Sequence, residues 1–245
     1  MRETMSERER ILKEVGAAFE HEPSINLHRY PIHMEWSDEV LTLEGEAENI
    51  AAKKLAMELA AAIPGIRGIV DRLHVVPATQ MGDGAILDAV RNMLMQEPAL
   101  QHCTLRVKAK ERVETVREGY PGSKGAIEIS VNNGVVLLDD HVPSLLQKRL
   151  AGVLAWWVPG SRDVINGLGV EPPEEDSDEE ITDAVRIVLE KNPLVNADQI
   201  TVSTRQAVVT LEGLVLNQAQ KHLAEFDAWY VFGVDKVVNH LKIRE

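Results

Sequence analysis

One pattern of 44 residues occurs three times in this chain, and no other feature restricts its fold so tightly. Residues 32–75, 127–170 and 200–243 align without a gap. The blocks begin at Ile32, Ile127 and Ile200, then share Val40, Val135 and Val208, followed by Leu43, Leu138 and Leu211. Further on come Lys53, Lys148 and Lys221, and near the end Leu73, Leu168 and Leu241. Gly45 and Gly65 lie 20 residues apart, as do Gly213 and Gly233, with Asp140 and Gly160 holding the same interval. Three copies imply three small cores, which suits a length of 245 residues.

Each block is preceded by a helix. Ile11, Ile86 and Ile181 each stand 12 residues before a proline, Pro23, Pro98 or Pro193. Apolar residues between them recur at helical spacing, and a proline disfavours helix in the residue before it. Ser6-x-x-Glu9 and Ser177-x-x-Glu180 read as capping boxes. Inside the block, Ile127, Ile129 and Val131 alternate as a half-buried strand does, and Asn132-Asn133-Gly134 supplies a tight turn into a second strand. A helix of about 17 residues and a last strand complete the unit. The order is α-β-β-α-β, an α+β fold with two helices on one face of a three-stranded mixed sheet. The expected domains are residues 1–80, 81–173 and 174–245.

The motif within the block resembles the BON domain family. Val208-Val209-Thr210-Leu211, Gly213 and Val215 fit its first half, and Gly233-Val234, Val237, Asn239, Leu241 and Ile243 its second. The first unit follows with Val40-Leu41-Thr42-Leu43 and Gly45, then Gly65-Ile66, Ile69, Asp71, Leu73 and Val75. The second departs, with Asp139-Asp140 in place of the small residue and glycine. The resemblance implies a non-enzymatic module that binds phospholipid or other ligand surfaces. Such relatives include an osmotically inducible periplasmic protein, outer-membrane lipoproteins and a cytoplasmic potassium-binding protein.

Since the shared positions are explained by the core, function is sought where the copies differ. The second unit carries roughly 20 extra residues, about 103–124, read as an inserted hairpin projecting from the middle domain. Its Arg106, Lys108, Lys110 and Arg112 alternate with Leu105, Val107 and Ala109, giving one basic and one apolar face. Tyr120-Pro121-Gly122-Ser123-Lys124-Gly125 forms the turn back into the block. Such an arm suits an acidic partner or phosphate headgroups, while lysine on an edge strand also serves simply to keep it soluble. Where the first unit has Ala61-Ala62, the second has Trp156-Trp157 and the third Trp229-Tyr230. Helical geometry places Trp157 in the core and Trp156 outward, as a contact residue or as packing against a neighbouring repeat; Trp229 falls at the boundary. The acidic stretch at residues 171–180 reads as a stiff linker leading into a helix N-terminus.

The formal charge is −13, which disfavours nucleic acid and anionic membranes as general partners. It is uneven: residues 1–80 carry net −5, residues 81–173 net −1 and residues 174–245 net −7. One cysteine, Cys103, excludes an intrachain disulfide. No apolar run approaches the roughly 18 residues of a membrane span, and the first residues lack the apolar stretch of a secretory signal. No nucleophile motif, metal-ligand spacing or phosphate loop is present, so neither catalysis nor a metal or cofactor is expected. The expectation is a cytoplasmic binding or adaptor protein that meets a protein partner or its own copies through the second unit. Binding of a phospholipid surface, or of a small ligand or ion such as potassium, is the other reading.

Overall fold

A computed structural model describes residues 6–110, 112–122 and 124–244. Glu111 and Ser123, assigned from sequence to the arm and its returning turn, lie outside the described residues, as does the chain start through Met5. Two compact units result, residues 1–76 and 77–245.

The first unit holds one repeat: helix α1 (Glu7–His21), strands β1 (Ile32–Ser37) and β2 (Val40–Ala47), helix α2 (Ile50–Ala61) and strand β3 (Gly68–Val75). Ser6 and Glu9 form the predicted capping box, each side chain accepting from the other residue's backbone N–H. The sheet runs β1-β2-β3, with β1 antiparallel and β3 parallel to β2. Ile11, Val15 and Phe19 of α1 meet Leu41, Leu43 and Leu73 of the sheet in a fully buried core. This is the stripe that the helical spacing indicated.

Within the second unit, repeat 2 comprises α3 (Asp83–Gln96), β4 (Thr104–Ala109), β5 (Arg112–Arg117), β6 (Ala126–Asn132), β7 (Val135–Val142), α4 (Leu145–Trp156), β8 (Asp163–Asn166) and β9 (Gly169–Val170). Repeat 3 comprises α5 (Asp178–Lys191), β10 (Ile200–Arg205), β11 (Val208–Val215), α6 (Gln218–Tyr230) and β12 (Lys236–Ile243). Repeat 3 reproduces the order of repeat 1, strand for strand. In repeat 2 the extra hairpin enlarges the sheet to β5-β4-β6-β7-β8, with β9 also on β7. It does not stand away from its domain. Strand β4 pairs in parallel with β6, because Leu105 and Val107 lie beside Ile127 and Ile129 and extend the same core.

The hairpin turns of repeats 2 and 3 are held from the preceding helix. Asp83 accepts from the backbone N–H groups of Asn133 and Gly134, and Asp178 from those of Gln206 and Ala207. These two bonds hold the Asp178 carboxyl below its usual range.

The departure from the glycine pattern has a visible result. Gly45 and Gly213 take φ values of 147° and 131°, and Asp140, at the same place in repeat 2, takes 90°. The final strand of that repeat is broken there. It pairs with β7 as far as Leu138 and resumes at His141. At Gly45 a side chain has no room, since an added Cβ would stand 2.7 Å from the Pro31 carbonyl oxygen. Gly45→Ala is therefore expected to lower the unfolding free energy by about 2 kcal/mol, as read by chemical denaturation of the full chain.

Candidate functional site

The cations of the inserted hairpin divide into two groups. Arg106 donates to the Asp140 carboxylate at 3.0 Å, and that carboxylate also meets His141 Nδ1 at 2.6 Å. Lys108 lies 3.8 Å from Glu128 on the adjoining strand. Two acids of repeat 2's own sheet are thus matched in part by the strand added beside them. Arg117 anchors the return, donating to the backbone carbonyls of Met95, Leu100 and Cys103. Cys103 itself is buried, and burial pushes its thiol above the usual range.

Lys110 and Arg112 flank the hairpin tip and are exposed, as is Val113 beside them. Lys110 sits at φ 58°, in the tight turn that reverses the chain. Tyr120, also exposed, packs its ring 4.7 Å from that of His102. Beside the tip of the arm a cavity of about 510 Å³ is lined by Leu87, Ala109 and Val131, with Lys108, Lys110 and Asp83 also contributing. The structure therefore brings Lys108 and Lys110 to one opening, while Arg106 is held at Asp140 and Tyr120 lies in the returning loop.

Trp156 is elsewhere. It is half-buried outside the core of repeat 2, with its ring stacked on Tyr230 of repeat 3 at 5.4 Å. The sequence left two readings open for this residue, and the geometry is that of packing against the neighbouring repeat. Trp157 packs on the core of repeat 2 and donates its Nε1–H to Asp227 at 2.8 Å. Trp229, expected at the boundary, is fully buried instead.

Several residues that complete this contact escaped the sequence reading. Arg149, buried, donates to the Phe232 carbonyl and to Asp176. The Lys148 ammonium lies 4.6 Å from the Phe232 ring centre. In repeats 1 and 3 the matching Lys53 and Lys221 instead donate to the carbonyls of Leu73 and Leu241. Asp227 accepts from Asn192 at 2.6 Å as well as from Trp157. Burial pushes its carboxyl up to about 6, against those two hydrogen bonds. A signal was available: Asp227 occupies the position of Leu59 and Leu154 in the other copies. The acidic stretch is more than a linker, because Glu174 accepts from Leu145 N at the start of α4 and Asp176 pairs with Arg149.

Among the described residues, no group of three or more His, Cys, Asp or Glu side chains could hold a metal ion, and no helix is long and apolar enough to cross a membrane.

Comparison with known proteins gives a family match and more distant likenesses. The family model described as "BON domain" matches residues 8–77, 110–172 and 177–245. Osmotically-inducible protein Y of Escherichia coli (strain K12) is 32% identical over 124 residues, covering 48% of this chain and 62% of that protein. Of solved structures, the C-terminal domain of CdsD, the structural protein of the type III secretion system of Chlamydia trachomatis, is similar at 12% identity and a TM-score of 0.25. That alignment covers 96% of this chain and 98% of the other. The PrgH periplasmic domain is similar at 11% identity and a TM-score of 0.23, covering 89% and 96%. Such TM-scores are too low to imply a common arrangement of whole chains.

The buried carboxyl at the contact of repeats 2 and 3 makes stability depend on pH. Its folded pKa lies above the ordinary value of about 3.9, so its contribution is fully present below that value and is lost as pH rises through about 6. Asp227→Asn should flatten this dependence, removing a loss of about 2 kcal/mol between pH 4 and 7. Denaturation of both proteins across that range checks it.

Proposed function

Because the chain belongs to the BON domain family, which is matched in each of its three repeats, we propose that it is a non-enzymatic binding protein whose second repeat contacts a protein partner. Its similarity to an osmotically inducible protein supports placing it among stress-related members. The observation that carries the reading is the opening beside the inserted hairpin. Leu87, Ala109 and Val131 give it apolar lining, and Lys108 and Lys110 give it positive charge.

An apolar hollow with cations suits a segment that combines an apolar side chain with carboxylates. The apolar part supplies the area removed from water, while the charges set register and association rate. Lys110 is not held in any ion pair described for this repeat, and Lys108 is only loosely placed near Glu128. The Lys110 ammonium is thus available to an incoming anion, and an anion would share that of Lys108 with Glu128. The exposed Val113 and Tyr120 extend the surface along the hairpin. Trp156 belongs to this surface only if repeats 2 and 3 separate, since Tyr230 covers one of its faces.

The double variant Lys108→Glu, Lys110→Glu is expected to weaken binding of an affinity-captured partner at least tenfold and to reduce its salt dependence, with circular dichroism unchanged. The same variant on vesicles separates the readings. Pelleting of the native chain with anionic vesicles, lost in the variant and at high salt, would replace the protein partner with a phospholipid surface. A concentration-dependent rise in melting temperature with added potassium would favour an ion instead.

A further inference from the structure

The inserted hairpin shows, within this one chain, what the edge of the unit can accept. In repeat 2 the outer edge of β6 is covered by β4, running parallel with it from Thr104 opposite Ala126 to Lys108 opposite Ser130. In repeat 1 the same edge belongs to β1, and among the described residues no strand pairs with its outer side. We propose that β1 is a docking edge for an extended strand of a partner protein, apolar at alternate residues and basic between them. This surface lies in a different repeat from the opening discussed above and stands independently of it.

Three features of repeat 1 carry the proposal. The first is charge. Aligning the block starts Ile127 and Ile32 puts Ser130 at Glu35, so a strand docked in the register of β4 sets its counterpart of Lys108 directly beside Glu35. Glu35 is exposed, and Glu44, also exposed, lies on the neighbouring strand opposite His33. Opposite charges facing one another across strands stabilise the pairing.

The second is apolar cover. Leu105 and Val107 of β4 stand opposite Ile127 and Ile129, which are fully buried. Their counterparts Ile32 and Met34 are only half-buried in repeat 1. A strand with apolar residues at those two positions completes the layer.

The third is the helix above the edge. In repeat 3, Arg186 of α5 reaches over β10 and donates to the carbonyl of Val202. The position equivalent to Arg186 in α1 is Gly16, and that equivalent to Val202 is Met34. Because Met34 pairs with Leu43 as Val202 pairs with Leu211, its carbonyl faces the same outer edge. Packing does not demand the glycine, since an added Cβ would meet only the Met34 Cε, at 3.7 Å. Glycine is the poorest helix former apart from proline. Its presence leaves the edge of β1 without the arginine that crosses the edge of β10. An exposed strand edge is the template for pairing with another chain, and strand addition is a recurring mode of peptide recognition.

The test uses the full chain and a labelled peptide with the chain's own sequence from residues 104–110, Thr-Leu-Arg-Val-Lys-Ala-Lys. Fluorescence anisotropy measures affinity, and amide hydrogen exchange locates the protection. The expected result is binding with slowed exchange confined to residues 32–37. Glu35→Lys should weaken it about fivefold, and Gly16→Arg, which favours the helix and covers the edge, should weaken it at least as much. Both variants are checked by circular dichroism. Absence of binding at millimolar peptide, protection elsewhere in the chain, or native affinity in both variants would overturn the proposal. Protection of residues 32–37 that grows with protein concentration alone would also overturn it, making a second copy the occupant.

Discussion

A buried carboxylate joins the second and third repeats, and the arrangement of the second unit depends on it. Asp227 takes one hydrogen bond from Trp157 across the contact and one from Asn192 within its own repeat. Neither donor is charged, so desolvation prevails and the carboxyl titrates well above its ordinary range. A buried guanidinium, Arg149, lies in the same contact and is matched by Asp176 and the carbonyl of Phe232. Buried charges tolerate little misalignment, because a displaced partner leaves the other uncompensated. The two repeats therefore have one well-defined way to meet. Trp156 and Tyr230 add aromatic area at its margin, and Lys191 reaches Glu97 at another point.

This contact shows how a repeated unit acquires distinct roles without changing its fold. The lysine shared by all three blocks secures the last strand in repeats 1 and 3, while in repeat 2 it turns to the ring of Phe232. The glycine at Gly45 and Gly213 is replaced by Asp140 in repeat 2, whose carboxylate then receives the arginine of the inserted strand. The lysine thereby moves from holding its own unit together to meeting the neighbouring repeat, while the aspartate ties the inserted strand to the sheet of its own repeat. Asp227 apart, the core positions stay apolar, which is why the register survives over all three copies.

Much of this was legible in the sequence, and the parts that were not share a cause. Alternation and capping are local, so the helices, the strands and the tight turn at Asn133-Gly134 could be read from neighbours a few residues away. The BON pattern could be read as well, since it consists of core and turn positions. What Arg106 and Lys108 face is not local: it depends on β4 joining β6 in parallel, across the connection from residue 110 to residue 125. The alternating basic and apolar faces were visible, but the acids that the basic face meets belong to a strand chosen by tertiary pairing. Trp156 presents the same difficulty. Its outward direction from repeat 2 followed from helical geometry, whereas its cover by Tyr230 follows from how two repeats pack. Asp227, at a position that is leucine in the other copies, was the one local sign of that packing.

Native-state amide hydrogen exchange tests most directly whether repeats 2 and 3 form one cooperative body. The amides to follow are those of Leu150 and Leu154 in α4 and of Ala224 and Ala228 in α6, all buried. If the contact around Asp227 and Arg149 binds the repeats together, the two sets open with a single shared free energy and respond alike to denaturant. Exchange of the α6 amides at a much lower free energy, with those of α4 unaffected, would contradict the account. It would show that repeat 3 unfolds alone and that its contact with repeat 2 contributes little.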